Sequence, residues 1–173
     1  MLELLSPAGS PEAVIAAVQN GADAVYMGLG NFNARRSAKN FSDEEFEKAV
    51  RYCRIRGCKV YVTMNTLVGD REMENALKLA RRVSDLGADA ILVQDLGLLS
   101  VLRRALPDIP LHASTQMSIH NLAGAEAAAE MGLTRAVLAR ELSFEQIKFI
   151  TEHSPIETEI FVHGALCFCH SGQ

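Results

Sequence analysis

A short phrase repeated at helix-to-strand junctions constrains this chain more than any other feature. Gly21-Ala22-Asp23-Ala24-Val25 returns as Gly87-Ala88-Asp89-Ala90-Ile91, with a looser echo at Gly132-Leu133-Thr134-Arg135-Ala136-Val137. Each copy opens with a glycine at the end of an amphipathic stripe, where the left-handed C′ position of a helix favours glycine. Each then runs straight into an apolar stretch that reads as a strand. One βα unit is being reused, and reuse of that unit builds a parallel sheet with helices packed against it.

Strands are predicted near Leu2 to Leu5, Ala24 to Met27, Lys59 to Met64, Ala90 to Val93, Pro110 to Ala113, Arg135 to Leu138 and Glu157 to Val162. The helices between them carry start signals. Ser42 to Glu45 forms a capping box with Phe41 and Phe46 at the two positions of a hydrophobic staple, and Ser143, Gln146, Leu142 and Ile147 repeat the device. Pro11 follows Ser10 in the favoured first helical position, and Gly57 ends the second helix. Seven strands alternating with six helices fit an α/β fold, a parallel (β/α) TIM-type barrel that is incomplete in this chain, because the whole fold takes about 250 residues. The rival is a doubly wound open sheet. Against it, the loop after the first strand reads Ser6-Pro7-Ala8-Gly9 and lacks the Gly-x-Gly-x-x-Gly fingerprint of a dinucleotide fold. The expectation is one barrel domain over residues 1–173, stopping before closure and belonging to something longer.

A chain of 173 residues that is 49% apolar suffices for one substantial core. No segment reads as a signal peptide or a membrane span, which points to the cytoplasm. The formal charge of -4 argues against a binder that relies on overall positive potential, while leaving room for a local patch that engages RNA. The basic cluster Arg51, Arg54, Arg56 and Lys59 reads as a solvated face at a helix carboxyl end. The four cysteines are too sparse for a secreted disulfide scaffold and read as thiols or metal ligands. Cys53 falls on the apolar stripe of Phe46, Ala49 and Val50 and is assigned to the core. Cys58 sits on the amino side of the third strand and is assigned no chemistry.

In barrels of this type the active site lies at the carboxyl ends of the strands. Those loops hold Ser6; Asn31, Asn33, Arg35 and Arg36; Asn65 and Thr66; Gln94 and Asp95; Ser114, Thr115 and Gln116; Arg140 and Glu141; and finally His163 and Cys167. Arginines there can clamp a carboxylate or phosphate through a bidentate fork. Asn33, Arg35, Asn65 and Gln116 are the candidate substrate-binding residues, and Arg140, Glu141 and His163 the candidate catalytic ones. Arg140-Glu141 also reads as a simple ion-paired couple ahead of the sixth helix, against a general acid or base role for Glu141. His112 and His120 read as surface or hydrogen-bonded residues rather than ligands.

The final segment is the most specific. Glu159-Ile160-Phe161-Val162-His163-Gly164-Ala165-Leu166-Cys167 ends a strand with a glycine turn that delivers a cysteine to the catalytic face, and Phe168-Cys169-His170-Ser171-Gly172 follows. This resembles the signature of the collagenase-like family known as peptidase U32: Glu-x-Phe-x-x-Gly, a small residue, an aliphatic residue, Cys, then Gly five positions later. Leu4-Leu5-Ser6-Pro7-Ala8-Gly9, Asn33-Ala34-Arg35 and Leu138-Ala139-Arg140-Glu141-Leu142-Ser143 are also similar to that family, so the resemblance covers essentially the whole chain.

The resemblance implies one of two chemistries. Members were first described as proteases, which would make the protein a hydrolase with Cys167 as nucleophile and His163 or His170 as base. Better-understood bacterial members are iron–sulfur proteins that help hydroxylate tRNA or ribosomal RNA, with prephenate as a metabolic requirement, or hydroxylate the ubiquinone ring. By that resemblance Cys167 is one of four thiolates on a [4Fe-4S] cluster. Cys169 is a second candidate ligand, and another cysteine is expected just after Gln173. No His-Glu-x-x-His motif supports a zinc peptidase. A third possibility is a non-catalytic barrel that binds an anionic metabolite through Arg35 or Arg140.

Overall fold

A computed structural model describes residues 2–30, 32–33, 41–164 and 171. Its strands are β1 (Leu5–Pro7), β2 (Ala24–Gly28), β3 (Lys59–Met64), β4 (Ala90–Val93), β5 (Leu111–Ala113), β6 (Arg135–Val137) and β7 (Glu157–Glu159). The helices are α1 (Pro11–Gln19), α2 (Asp43–Ile55), α3 (Met73–Asp85), α4 (Leu96–Ala105), α5 (Leu122–Glu130) and α6 (Phe144–His153), with one 3₁₀ turn at Thr115–Met117. The sheet runs β1-β2-β3-β4-β5-β6-β7 with every pair parallel. It curls, because Glu3, just ahead of β1, reaches Tyr61 of β3 at 2.9 Å and Arg135 of β6 at 2.6 Å across the interior. The incomplete (β/α) barrel expected from the sequence is therefore the fold observed.

The repeated phrase has a structural purpose. Asp23 receives the Leu4 N–H on its carboxylate at 2.8 Å and gives its own N–H to the Leu4 carbonyl at 2.9 Å. Asp89 does the same to Val60, at 2.7 and 2.8 Å. Thr134 sends both its N–H and its hydroxyl to the Leu111 carbonyl. In all three copies the residue before a strand fastens that strand to the one preceding it. The leading glycines have φ of 90°, 97° and 84°, which a side chain would disfavour.

Both capping boxes form as expected, with Ser42 and Ser143 accepting from N3 and Glu45 and Gln146 reaching back. Each cap stabilises its helix by about 1 kcal/mol. The main core lies between the sheet and the helices, around Val14, Phe46, Ile91, Leu98 and Leu102, all at most 1% exposed. A smaller cluster fills the inside of the curl, made by Ala24, Tyr61, Ala90, Leu92 and Val137 with Leu5 and Tyr26. β4 is buried at every position, as a strand covered on both faces must be. Cys53 packs in the core at 0% exposure, as expected, and burial pushes its thiol up to about 12.

Three expectations need correction. The first strand is Leu5–Pro7, not Leu2 to Leu5: Leu2 is 94% and Leu4 51% exposed, while the charged Glu3 between them turns inward. The last strand ends at Glu159, since β6 offers partners only that far and Phe161 and Val162 are exposed. His112 is not at the surface, and no hydrogen bond to its ring is formed among the described residues. It is 4% exposed, packs edge-on against Tyr61, and its Nδ1 has no partner among the described residues.

His112 belongs to a charged network at the amino-terminal end of the barrel. Arg135 donates to Glu157 at 2.6 and 2.9 Å and to Glu3 at 2.6 Å, and lies 3.6 Å from Glu159. Burial alone would raise the Glu3 carboxyl, but hydrogen bonds from Arg135, Lys59 and Tyr61 outweigh it and hold the group at about 2. Burial raises the Glu159 carboxyl, with Arg135 opposing. Burial and the nearby Arg135 charge hold His112 down at about 3.

Candidate functional site

At the opposite end, the loops after β3 and β5 deliver hydrogen-bonding side chains to the barrel mouth. β3 ends at Met64, so Asn65 is the first residue of its loop, and its amide donates to Gln116 Oε1 at 2.7 Å and to Ser114 Oγ at 3.2 Å. The buried Ser114 donates to the same Gln116 oxygen at 2.5 Å. With that oxygen taken twice, the Gln116 NH2 group meets no acceptor among the described residues. The structure thus brings Asn65 and Gln116 together and adds Ser114 to them.

Asn33, after β2, is 3% exposed and donates to the Gly30 carbonyl at 2.9 Å. It packs on the end of β2, where a Cβ on Gly28 would lie 2.6 Å from the Asn33 side-chain carbon. Only glycine permits that approach. Asp95 is the N-cap of α4, accepting from Leu98 N at 2.7 Å, and this accounts for its place at the end of β4.

A second group forms after β6. The Glu141 carboxylate accepts from the Ser171 N–H at 2.7 Å and from the Ser171 hydroxyl at 3.0 Å. That hydroxyl in turn accepts from the Arg140 N–H at 3.2 Å and from Arg140 Nε at 3.4 Å. Ser118, from the loop after β5, gives its hydroxyl to the Ser171 carbonyl. Ser118 holds a left-handed backbone, φ 55°, which costs a residue with a side chain about 1–2 kcal/mol. His120 braces it, with Nδ1 2.7 Å from the Ser118 carbonyl. Gln116 and Ser118 share one loop, so the two groups are mechanically joined.

Among the described residues the Nη atoms of Arg140 meet no acceptor, so its exposed fork is open to an anion. His163 is exposed beyond β7 with no hydrogen-bond partner among the described residues. Arg35, Cys167 and Cys169, with Asn31, Arg36 and His170, lie outside the described residues. The sequence reading passed over Ser118 and Ser171, whose type gives no signal in a loop. The basic cluster is distant from the mouth: Arg54 and Arg56 donate to carbonyls at Gly87 and Tyr52, and Arg56 lies 3.7 Å over the Tyr52 ring. No helix among the described residues is long and apolar enough to cross a membrane.

Known proteins match this arrangement over nearly all of its length. The chain is 42% identical over 172 residues to the 23S rRNA 5-hydroxycytidine C2501 synthase of Escherichia coli (strain K12), covering 99% of this chain and 26% of that protein. It is 37% identical over 171 residues to tRNA hydroxylation protein P1 of Bacillus subtilis (strain 168), covering 99% of this chain and 40% of that one. A collagenase of Porphyromonas gingivalis (strain ATCC BAA-308 / W83) is 32% identical over 99% of this chain and 44% of its own length. The chain thus spans less than half of each of these relatives. In fold it is similar to the solved U32 peptidase Mk0906, with a TM-score of 0.73 and 20% identity over 92% of this chain and 68% of that one. The profile of peptidase family U32 matches residues 9–173, and this chain therefore belongs to that family.

Proposed function

We propose that the intact protein is an RNA hydroxylation factor, acting on tRNA or ribosomal RNA in the cytoplasm with an iron–sulfur cluster and a small anionic metabolite such as prephenate. The observation that carries this reading is the match of 42% and 37% over 99% of the chain to proteins named for rRNA and tRNA hydroxylation. The Arg140 Nη atoms and the Gln116 NH2 group, which meet no acceptor among the described residues, are donors of the kind that a carboxylate or carbonyl ligand at the mouth requires.

A [4Fe-4S] cluster takes four thiolates. Cys53 and Cys58 are buried at the amino-terminal end of the sheet, away from the mouth, so Cys167 and Cys169 are the two candidate ligands within these residues. The remaining donors would come from elsewhere in the intact protein. When bound, the cluster would supply electron transfer, and the rim residues would orient the metabolite beside it.

Two experiments test the reading. Mass spectrometry of nucleosides from tRNA and rRNA of a strain lacking the gene should show loss of one hydroxylated nucleoside, restored by the wild-type gene but not by Cys167→Ala. A deletion strain with every hydroxylated nucleoside intact would overturn it. Anaerobic reconstitution of the intact protein without iron uptake would remove the cluster. The collagenase match favours a second reading, a peptidase. It requires that Cys167→Ala abolish peptide cleavage by the purified, metal-free protein, and unchanged cleavage counts against it.

A further inference from the structure

We infer that Glu141 is a positioning residue: its carboxylate, with Ser118 opposite, docks Ser171, the described residue that follows the signature thiols in sequence, on the barrel rim. The inference deepens the reading above and takes from it the ligand role of Cys167. Its own basis is the treatment of Ser171, a small polar residue that the structure buries to 5% exposure. All three polar groups of that residue are satisfied by rim residues. The N–H and hydroxyl go to the two oxygens of Glu141 at 2.7 and 3.0 Å, the hydroxyl oxygen accepts the Arg140 N–H at 3.2 Å, and the carbonyl accepts from Ser118.

These contacts span 30 and 53 positions of sequence, so they tie the end of the signature to two separate strand loops. Charge-assisted bonds to a carboxylate are about twice as strong as neutral ones, and two from one residue fix orientation as well as place. Ser118 accepts a left-handed backbone to make the opposing contact, and such strain persists only where surrounding structure holds it. A carboxylate whose two oxygens both hold the protein's own chain serves geometry before proton transfer. In sequence, Ser171 stands two residues after Cys169 and four after Cys167.

The test is hydrogen exchange at the Ser171 amide in the intact gene product, measured by NMR beside the amides of β3 and β4 as a fold control. Glu141→Ala should speed exchange at Ser171 about tenfold or more, the consequence of losing a charge-assisted hydrogen bond. Glu141→Gln keeps an oxygen to accept the N–H and should rescue, staying within about threefold of wild type. Ser118→Ala, which removes only the carbonyl donor, should give a smaller acceleration and carries the test if Glu141→Ala fails to fold. After anaerobic reconstitution, Glu141→Ala should show lowered iron content and an altered electron paramagnetic resonance signal, and Glu141→Gln neither. Ser171 exchange as fast in wild type as in Glu141→Ala, or a glutamine variant as damaging as alanine, would overturn the anchor. If no form takes up iron while Ser171 is protected in wild type and released in Glu141→Ala, the anchor stands and the cluster falls. Equal iron in all forms with unchanged Ser171 exchange removes the anchor and leaves the cluster.

Discussion

Replacing His112 with phenylalanine should flatten the acid limb of the protein's stability. The imidazole is 4% exposed, lies edge-on to Tyr61 with ring centroids 5.1 Å apart, and is held at about 3 by burial and by Arg135. The folded protein therefore keeps the ring neutral, whereas the unfolded chain takes up a proton below the ordinary value of 6.5. The ring's contribution is complete above that value and is withdrawn as pH falls toward 3. Each pH unit inside the window costs about 1.4 kcal/mol. At about pH 4 this single residue has withdrawn about 3 kcal/mol, equivalent to about 6–12 °C in Tm for a chain of this size. Phenylalanine keeps the contact with Tyr61 and has no proton to take up. Urea unfolding followed by circular dichroism at about pH 7, 6, 5 and 4 gives the stability difference between variant and wild type. That difference should move by about 3 kcal/mol in favour of the variant across the series. Parallel curves would mean that His112 protonates as readily folded as unfolded, and would refute the reasoning.

Glu3→Gln should cost about 1–2 kcal/mol at neutral pH, less than for a fully buried pair because its side chain is 21% exposed. The Glu3 contribution is present above 4.5 and lost as pH falls through about 2, so the variant should lack that part of the acid decline in a thermal melt series. Gly28→Ala should destabilise by about 1–3 kcal/mol by driving a methyl group into Asn33, measured by urea unfolding; an unchanged midpoint would mean that Asn33 moves freely. A double-mutant cycle of Asn65→Ala with Gln116→Ala should return a coupling of about 0.5–1.5 kcal/mol, and a value of about zero would dissolve the group at the mouth. Cys53 and Cys58, buried with thiols shifted up by that burial, should be labelled by a maleimide only as fast as the protein unfolds, read residue by residue by mass spectrometry.

The parts of the fold legible in the sequence were those set by local chemistry. Ser42 and Ser143 with their partners at N3, and the glycines at 21, 57, 87 and 132, each satisfy the backbone within a few residues, so their meaning is visible in one window. The junction phrase was visible as a repeat, but its purpose was not, because the partners of Asp23 and Asp89 lie 19 and 29 positions away. Leu2 and Phe161 misled the strand limits because apolar character marks a strand only where a neighbour covers it, and both are exposed. The charges inside the barrel ran against expectation, since inward positions of a buried parallel strand are normally apolar. At the mouth, Asn65 and Gln116 were marked by following strand ends. Ser118 and Ser171 were not, since their importance comes from φ and from contacts between distant loops.

Arg135 also sets the order in which this chain can assemble. Its acidic neighbours flank it in sequence, Glu3 before it and Glu157 and Glu159 after it. On a ribosome, the sixth strand emerges with a single counter-ion available, and burying a guanidinium without its full set of partners is costly. The sixth strand would then stay wet until the seventh has been synthesised, and the two would enter the sheet as a pair during translation.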